Sequence, residues 1–329
     1  MQRLLSLYTK VKLAILPVGL IGLVSLAVVL GLLFMSGPHG EDKRVIFKRG
    51  SSLRSVAAVL DEAGALRSPL LFRGLVRLQG KAGSLQAGEF DIPAGANMPA
   101  ILDVLVGGDV VLHPITIAEG LTSLQIIEQL RGEEVLTGEV GLPPEGSLLP
   151  ETYKVPRGMT RESLVKKMQV AQTQAIEALW PQRQKGLPVK NKREALILAS
   201  IVERETGVAE ERPLVAAAFT NRLKKGMRLQ SDPTIIYGIV GGKGKLGRPI
   251  RRSEIKRKTA YNTYRINGLP PTPIANPGRA SIAAVLNPAD SKVIYFVADG
   301  TGGHVFAETL AAHNRNVRRW REIEKQSKP

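Results

Sequence analysis

The sequence predicts an α+β protein carried on one N-terminal transmembrane helix, and three observations support that reading. A strand–turn–helix pattern recurs four times between Val45 and Met168. An uncharged apolar run extends from Leu13 to Met35. The second half alternates apolar helical runs with Pro- and Gly-rich loops and closes on a strand followed by a Gly-rich turn at Asp299. The expected division is 1–12 as a cytoplasmic N-terminus, 13–36 as a transmembrane helix and 37–43 as a linker. Residues 44–112 then form a small α+β module, and 113–329 a larger α+β domain around a buried helix.

The N-terminal run is interrupted only by Pro17, a few glycines and Ser25. It exceeds the roughly 20 residues a bilayer span needs. Arg3, Lys10 and Lys12 precede it, so the positive-inside rule places the N-terminus in the cytoplasm and the rest of the chain outside. A cleaved signal peptide has a shorter apolar core and a small-residue cleavage site, whereas this run ends in Phe34-Met35-Ser36-Gly37-Pro38. An uncleaved anchor is the expectation.

With 329 residues the chain has room for about two domains. It contains no cysteine, which excludes a disulfide framework, a thiol nucleophile and thiolate metal ligation. His39, His113, His304 and His313 are scattered without metal-motif spacing, so no metal is expected. The net charge of +17 points to an anionic partner. Outside a membrane, an acidic envelope polymer or lipid headgroups suit that charge better than nucleic acid.

The four repeated segments run from Val45 to Ser52, Phe90 to Asn97, Ile115 to Thr122 and Tyr153 to Thr160. Each places a short strand-like run before a glycine (Gly50, Gly95, Gly120, Gly158). Two residues later comes an N-cap residue: Ser52, Asn97, Thr122 or Thr160. Apolar pairs then follow four apart: Val56/Leu60, Ile101/Leu105, Ile126/Leu130 and Leu164/Met168. That spacing marks one helix face. The glycine supplies the tight strand-to-helix turn. The first two copies are expected to form the small module, which resembles carbohydrate-binding LysM modules. The last two lead into the larger domain. Arg131 to Pro150 reads as loop. Lys166 to Leu187 reads as a helix that breaks at Pro181 and Gly186, with Trp180 as a packing anchor.

Glu194 to Gly207 is an apolar helix ending in two carboxylates, Glu203 and Glu205. At offsets of seven, four and three, Glu205 shares a face with Leu198, Ile201 and Val202. Glu203 shares a smaller, more polar face with Leu196, Ala199 and Ser200. An acid on the more apolar face is expected to have a raised pKa, as a general acid near neutral pH requires. Glu205 is therefore the candidate catalytic acid, with Glu203 in reserve. The competing reading makes both ordinary carboxylates paired with Arg204 and Arg212. Downstream, Gly226 to Gly238 is expected to leave a helix for a polar loop containing Gln230 and Asp232, and Ala260-Tyr261-Asn262-Thr263-Tyr264 gathers aromatics, an amide and a hydroxyl. Aromatics and amides in loops suit sugar rings; packing and turn capping are the structural alternative. Asp299-Gly-Thr-Gly-Gly lacks the following helix of a nucleotide fingerprint.

Taken in order, these segments resemble the YceG-like endolytic murein transglycosylases. The matching motifs are Leu149-Pro-Glu-Thr-Tyr153, Leu198 to Glu205, Asn221-Arg222-Leu223, Gly226 to Thr234, Tyr237-Gly238 and Thr259 to Tyr264. Gly268-Leu-Pro-Pro271, Ala275-Asn-Pro-Gly278 and Tyr295 to His304 complete them. The resemblance implies an inner-membrane enzyme without a cofactor that cuts nascent peptidoglycan strands internally. The bond joins N-acetylmuramic acid to N-acetylglucosamine, and the product carries a 1,6-anhydro end. It also implies peptidoglycan synthases as partners. Carried over, the catalytic carboxyl is Glu205, with Gln230, Asp232, Tyr261, Asn262, Thr263 and Tyr264 lining the glycan groove. One carboxyl can serve first as acid to the leaving oxygen, then as base toward the sugar's own 6-hydroxyl. Asp232 leaves open a two-carboxylate hydrolase, and a non-enzymatic scaffold that recruits synthases is the alternative of a different class.

Overall fold

A computed structural model describes residues 20–327, which divide into two compact units. The first comprises the described residues up to His113 together with Pro156–Gly158; the second comprises Pro114–Val155 and the chain from Met159 onward.

The first unit begins with α1, helical over residues 20–34. At about 1.5 Å per residue this segment reaches about 22 Å, short of the roughly 30 Å hydrocarbon core. No helix among the described residues is long and apolar enough to cross a membrane. The expected span starts at Leu13, and its first part lies outside the described residues. Leu20, Ile21, Leu23, Val24 and Leu26 of α1 are more than half exposed, while Leu33 near its end packs on the core of the first unit.

Strand β1 (Lys43–Phe47) is followed by α2 (Leu53–Glu62), α3 (Pro69–Leu78), β2 (Gly88–Ile92) and α4 (Met98–Gly107). β1 and β2 pair antiparallel, with Val45 opposite Phe90. Val45, Phe47, Val56, Leu60, Phe72, Val76, Phe90 and Ile101 form one core. The sequence reading left out α3, which Ser68 caps and Pro69 opens. Glu89 is buried among three basic groups, Arg157 at 2.7 Å, His113 at 2.9 Å and Arg44 at 3.5 Å. The hydrogen bond from Arg157 holds its carboxyl below the usual range against the opposing effect of burial.

The second unit pairs β3 (Leu112–Thr116) with β5 (Thr152–Pro156), and the two-residue β4 (Leu136–Thr137) runs parallel to β6 (Met159–Thr160). Helices α5 (Ser123–Gly132) and α6 (Arg161–Leu179) cover a core of Ile115, Ile126, Leu130, Leu148, Tyr153, Leu164 and Met168. The repeated pattern of the sequence is reproduced in local geometry in both units. Gly50, Gly95, Gly120 and Gly158 all take positive φ, between 67° and 86°. Ser52, Asn97, Thr122 and Thr160 each accept a backbone N–H at the start of α2, α4, α5 and α6. All eight paired apolar positions are buried.

A second core is built around α7 (Lys192–Glu205), which packs on α8 (Arg212–Lys224) and α11 (Arg279–Leu286). α9 (Asp232–Val240), the short α10 (Arg252–Lys256), the antiparallel pair β7 (Tyr295–Ala298) and β8 (His304–Ala307), and α12 (Leu310–Ser327) complete the unit. The expected polar loop after Gly226 is shorter than the sequence suggested: Asp232 is the first residue of α9, with Pro233 behind it. Proline at the first turn needs no N–H there, so an Asp-Pro pair with the composition of a loop opens a helix.

Candidate active site

The site begins at the C-terminal end of α7. Asn191 caps the helix start, and the Glu194 carboxylate folds back to the Lys190 N–H at 2.7 Å. Ala195 and Ile197 through Val202 are all buried. Ser200 is accommodated in that interior because its hydroxyl donates to Ile197 O and accepts the Ile274 N–H at 3.0 Å. The helix therefore has a rigid, fully packed body and delivers its last turn at a fixed height.

The two glutamates of that turn meet different surroundings. Helix phasing predicts a more polar setting for Glu203, yet its side chain is only 4% exposed. Partners separate the pair instead. Glu203 accepts the Gly278 N–H at 2.9 Å, at the start of α11, and lies 3.7 Å from Arg212. Arg212 also bridges Glu119 at 3.0 Å. Glu119 presses so close that a Cβ on Gly278 would fall 1.8 Å from its carboxylate, so a larger residue there would displace the Glu119 side chain. Burial and the charge of Glu203 raise the Glu119 pKa, and Arg212 opposes them.

Glu205 keeps partial solvent access, while protein crowds its carboxyl. Burial pushes its pKa up to about 7. The Ser231 hydroxyl, buried without a hydrogen bond of normal geometry, lies close enough to favour the anion, as do the charges of His304 and Arg222. Asp232 works the other way and reinforces the rise. A largely enclosed carboxyl titrating near neutrality can hold a proton and give it up at physiological pH.

The surrounding groups are held from behind. Arg222 is buried, donates to Ile294 O at 2.6 Å and to Leu229 O, and sits over the Tyr295 ring at 5.6 Å. His304 opens β8; its backbone N–H donates to Glu211 Oε1 at 2.6 Å and its Nδ1 lies 2.7 Å from Oε2. The hairpin turn before it is knit by Asp299, which accepts the Thr301 and Gly303 N–H groups, as the sequence predicted for that segment. Glu211 also accepts the hydroxyl of Thr206, the residue that caps α7 directly after Glu205. Burial alone would raise Glu211, but these hydrogen bonds keep it below its ordinary value.

The expected groove residues fall into two groups. Gln230 and Asp232 are exposed. Gln230 takes φ +52°, a left-handed conformation unusual for a non-glycine residue, fixed by its N–H donating to Thr263 O at 3.1 Å. Tyr264 is half-buried and donates to Asp232 at 2.7 Å. Its pKa is raised, chiefly by burial and then by that bond, with Glu205 adding to the effect. Tyr261, Asn262 and Thr263 are engaged within the protein. Tyr261 bonds Thr272 and packs on Tyr237. Asn262 Nδ2 donates to the carbonyls of Glu254, Ile255 and Arg257, and its Oδ1 accepts the Tyr264 N–H. The Thr263 hydroxyl accepts the Ser231 N–H at 2.9 Å and meets Thr234. Asn262 and Thr263 are buried and reach the site through Tyr264, Ser231 and Gln230.

Sequence reasoning did not single out Ser231, Arg222, Glu211 or His304 as site residues. Only His304, placed just after the Gly-rich turn, had a local signal. Among the described residues no group of three or more His, Asp or Glu side chains gathers as a metal centre.

The profile of the YceG-like family matches residues 45–319. A Bacillus subtilis protein named endolytic murein transglycosylase is 31% identical, with 81% of each chain covered. A Streptococcus pneumoniae protein of the same name is 30% identical; the match covers 82% of this chain and 56% of that one. A crystal structure of a yceG-like protein from Listeria monocytogenes superimposes with a TM-score of 0.51 at 27% identity, covering 84% of this chain and 99% of the other.

Proposed function

This chain belongs to the YceG-like family, and from that premise we propose that it is an endolytic lytic transglycosylase acting on peptidoglycan, with Glu205 as its single acid/base. The observation that carries the assignment is the contrast at the end of α7. Glu203 is committed to Gly278 and Arg212, whereas burial holds Glu205 protonated up to about pH 7. In the proposed reaction the Glu205 proton passes to the glycosidic oxygen as the bond from N-acetylmuramic acid to N-acetylglucosamine breaks. The resulting carboxylate then takes the proton of the muramic 6-hydroxyl as that oxygen closes on the anomeric carbon. The product ends in 1,6-anhydro-muramic acid, and water is not consumed.

Asp232, Tyr264 and Gln230 are the accessible polar groups proposed to meet the glycan near Glu205. Tyr261, Asn262 and Thr263 hold them in place. The negative charge of Asp232 beside Glu205 also supports a second reading, a muramidase-type hydrolase in which two carboxylates flank the bond. Digestion of purified strands by the wild type, Glu205→Gln and Glu203→Gln, with mass analysis of the new ends, decides between these readings. Anhydro ends lost only in Glu205→Gln support the proposal. Reducing ends overturn it in favour of the hydrolase, and full cellular function in Glu205→Gln favours the scaffold.

We further propose that residues 13–36 anchor the enzyme in the inner membrane with the N-terminus cytoplasmic. This rests on the uncharged run and on the exposed apolar side chains of α1. The first unit, with its β–α–α–β order, is proposed to act as a LysM-like module along the strand, with peptidoglycan synthases supplying new strands to the site. Loss of membrane sedimentation on deleting residues 1–36 is the expected result; unchanged sedimentation would overturn the anchor.

A further inference from the structure

We propose that a pocket beside Glu205 is a subsite for the carboxylate-bearing peptide that substitutes muramic acid. This rests on the functional reading above and extends it from the sugar chain to what hangs from it. The pocket has a volume of about 130 Å³ and is lined by Leu121, Arg204, Pro233, Ile236, Tyr237 and Lys245, among others. Two of these residues are chain neighbours of the site: Arg204 precedes Glu205, and Pro233 follows Asp232. A strand lying across Glu205 and Asp232 therefore has this pocket at its flank.

Size and charge select the occupant. Pockets that enclose a whole small ligand usually measure about 300–1,000 Å³. A space of about 130 Å³ suits an appendage, not a sugar ring. Its walls are apolar at Leu121, Pro233 and Ile236, yet it carries two cations. Arg204 donates to the Gly120 carbonyl at 3.2 Å, and neither Arg204 nor Lys245 has a carboxylate partner among the described residues. Glu203 and Glu205 flank Arg204 in the chain without pairing with it, and Glu145 lies behind Gly242. Its carboxyl is already taken up by the Ser123 N–H, the Tyr237 hydroxyl and Asn276, and burial raises its pKa, so it does not neutralise the pair.

Glycan hydroxyls and acetamides are neutral and give no use for two unpaired cations. A lactyl group carrying a short peptide offers methyl groups for the apolar wall and carboxylates for a guanidinium and an ammonium. Lys245 is exposed on a Gly-rich loop, where a free ammonium can swing onto a ligand.

The test compares two polymers: glycan strands that keep their peptides, and the same strands stripped of peptide by an amidase. Wild type, Arg204→Ala, Lys245→Ala and the charge-keeping Arg204→Lys are assayed on both. The expected result is a KM about tenfold higher for each alanine variant on peptide-bearing strands, with kcat held. KM on stripped strands, where the amidase leaves only the lactyl carboxylate, should rise less, and Arg204→Lys should recover part of the loss. Equal rises on both polymers, or no change on either, overturn the subsite. A wild type that cuts stripped strands with a lower KM than peptide-bearing ones overturns it too, while the transglycosylase reading stands. A wild type that cuts neither overturns both. Melting temperatures within a degree or two of wild type separate lost binding from lost fold, and Lys245→Ala, on its exposed loop, tests the subsite without touching the α7 packing.

Discussion

The Glu203 carboxylate accepts the backbone N–H of Gly278 at 2.9 Å, tying the last turn of α7 to the first of α11. A carboxylate at a helix start meets the positive end of the helix dipole and an otherwise orphaned donor. Glu203 is thus part of the frame that aims Glu205. Glu203→Ala leaves a buried N–H unpaired and removes a partner of Arg212, so it should cost about 1–3 kcal/mol of stability. Glu203→Gln should keep measurable cleavage with a lowered melting temperature. Glu205→Gln should lose at least about a hundredfold in kcat, the usual scale for a general acid–base group, while remaining folded. A Glu205→Gln variant with full turnover would return the catalytic role to Glu203.

The rate should follow the protonation of Glu205. The carboxyl must carry its proton to donate it, and that proton is held to about pH 7. kcat/KM is therefore expected to fall as pH rises through 7. Asp232 contributes to the raised value, so Asp232→Asn should move the basic limb to lower pH. A limb that stays in place in Asp232→Asn would show that the titrating group is not beside Asp232.

The same shift has a thermodynamic consequence of known sign. The folded pKa of Glu205 lies above its value of 4.5 in the open chain, so the folded state binds the extra proton between those pH values. The stabilisation is complete below pH 4.5 and is lost as pH rises through 7. Above that, a crowded carboxylate costs the fold on the order of 3 kcal/mol relative to the protonated form. Glu205→Gln should then be more stable than wild type at pH 8, with the advantage vanishing near pH 4.5. Parallel thermal scans at the two pH values check this, and a variant less stable at pH 8 would contradict it.

What the sequence made legible was local. The four N-caps follow from a cap residue two positions after a glycine, and each is found where that spacing puts it. The hairpin at Asp299 was equally readable, because the turn's own side chain makes its bonds. The surroundings of Glu205 were not. Ser231, Arg222 and His304 come to it from three separate segments, and Arg222 is fixed by the carbonyls of Leu229 and Ile294. No periodicity encodes such pairings. Helical phasing chose Glu205 for its apolar face, yet both glutamates proved largely enclosed; the partner of Glu203, 75 residues away in the chain, is what distinguishes them.

Asn262 illustrates the difference between lining a groove and holding one. It is 1% exposed, and its amide closes three carbonyls of the α10 turn while its oxygen orients the Tyr264 N–H. Asn262→Ala removes those bonds from a short, partly exposed helix, at about 0.5–1.5 kcal/mol for each bond lost. The expected outcome is a strongly lowered melting temperature and a loss in kcat that follows the displacement of Tyr264 from Asp232. Tyr264→Phe removes the 2.7 Å bond to Asp232 without disturbing the turn, so it should reduce kcat at nearly wild-type stability. If Asn262→Ala instead kept its melting temperature and raised KM alone, the amide would be a ligand of the glycan, and the division between accessible and supporting residues would have to be redrawn.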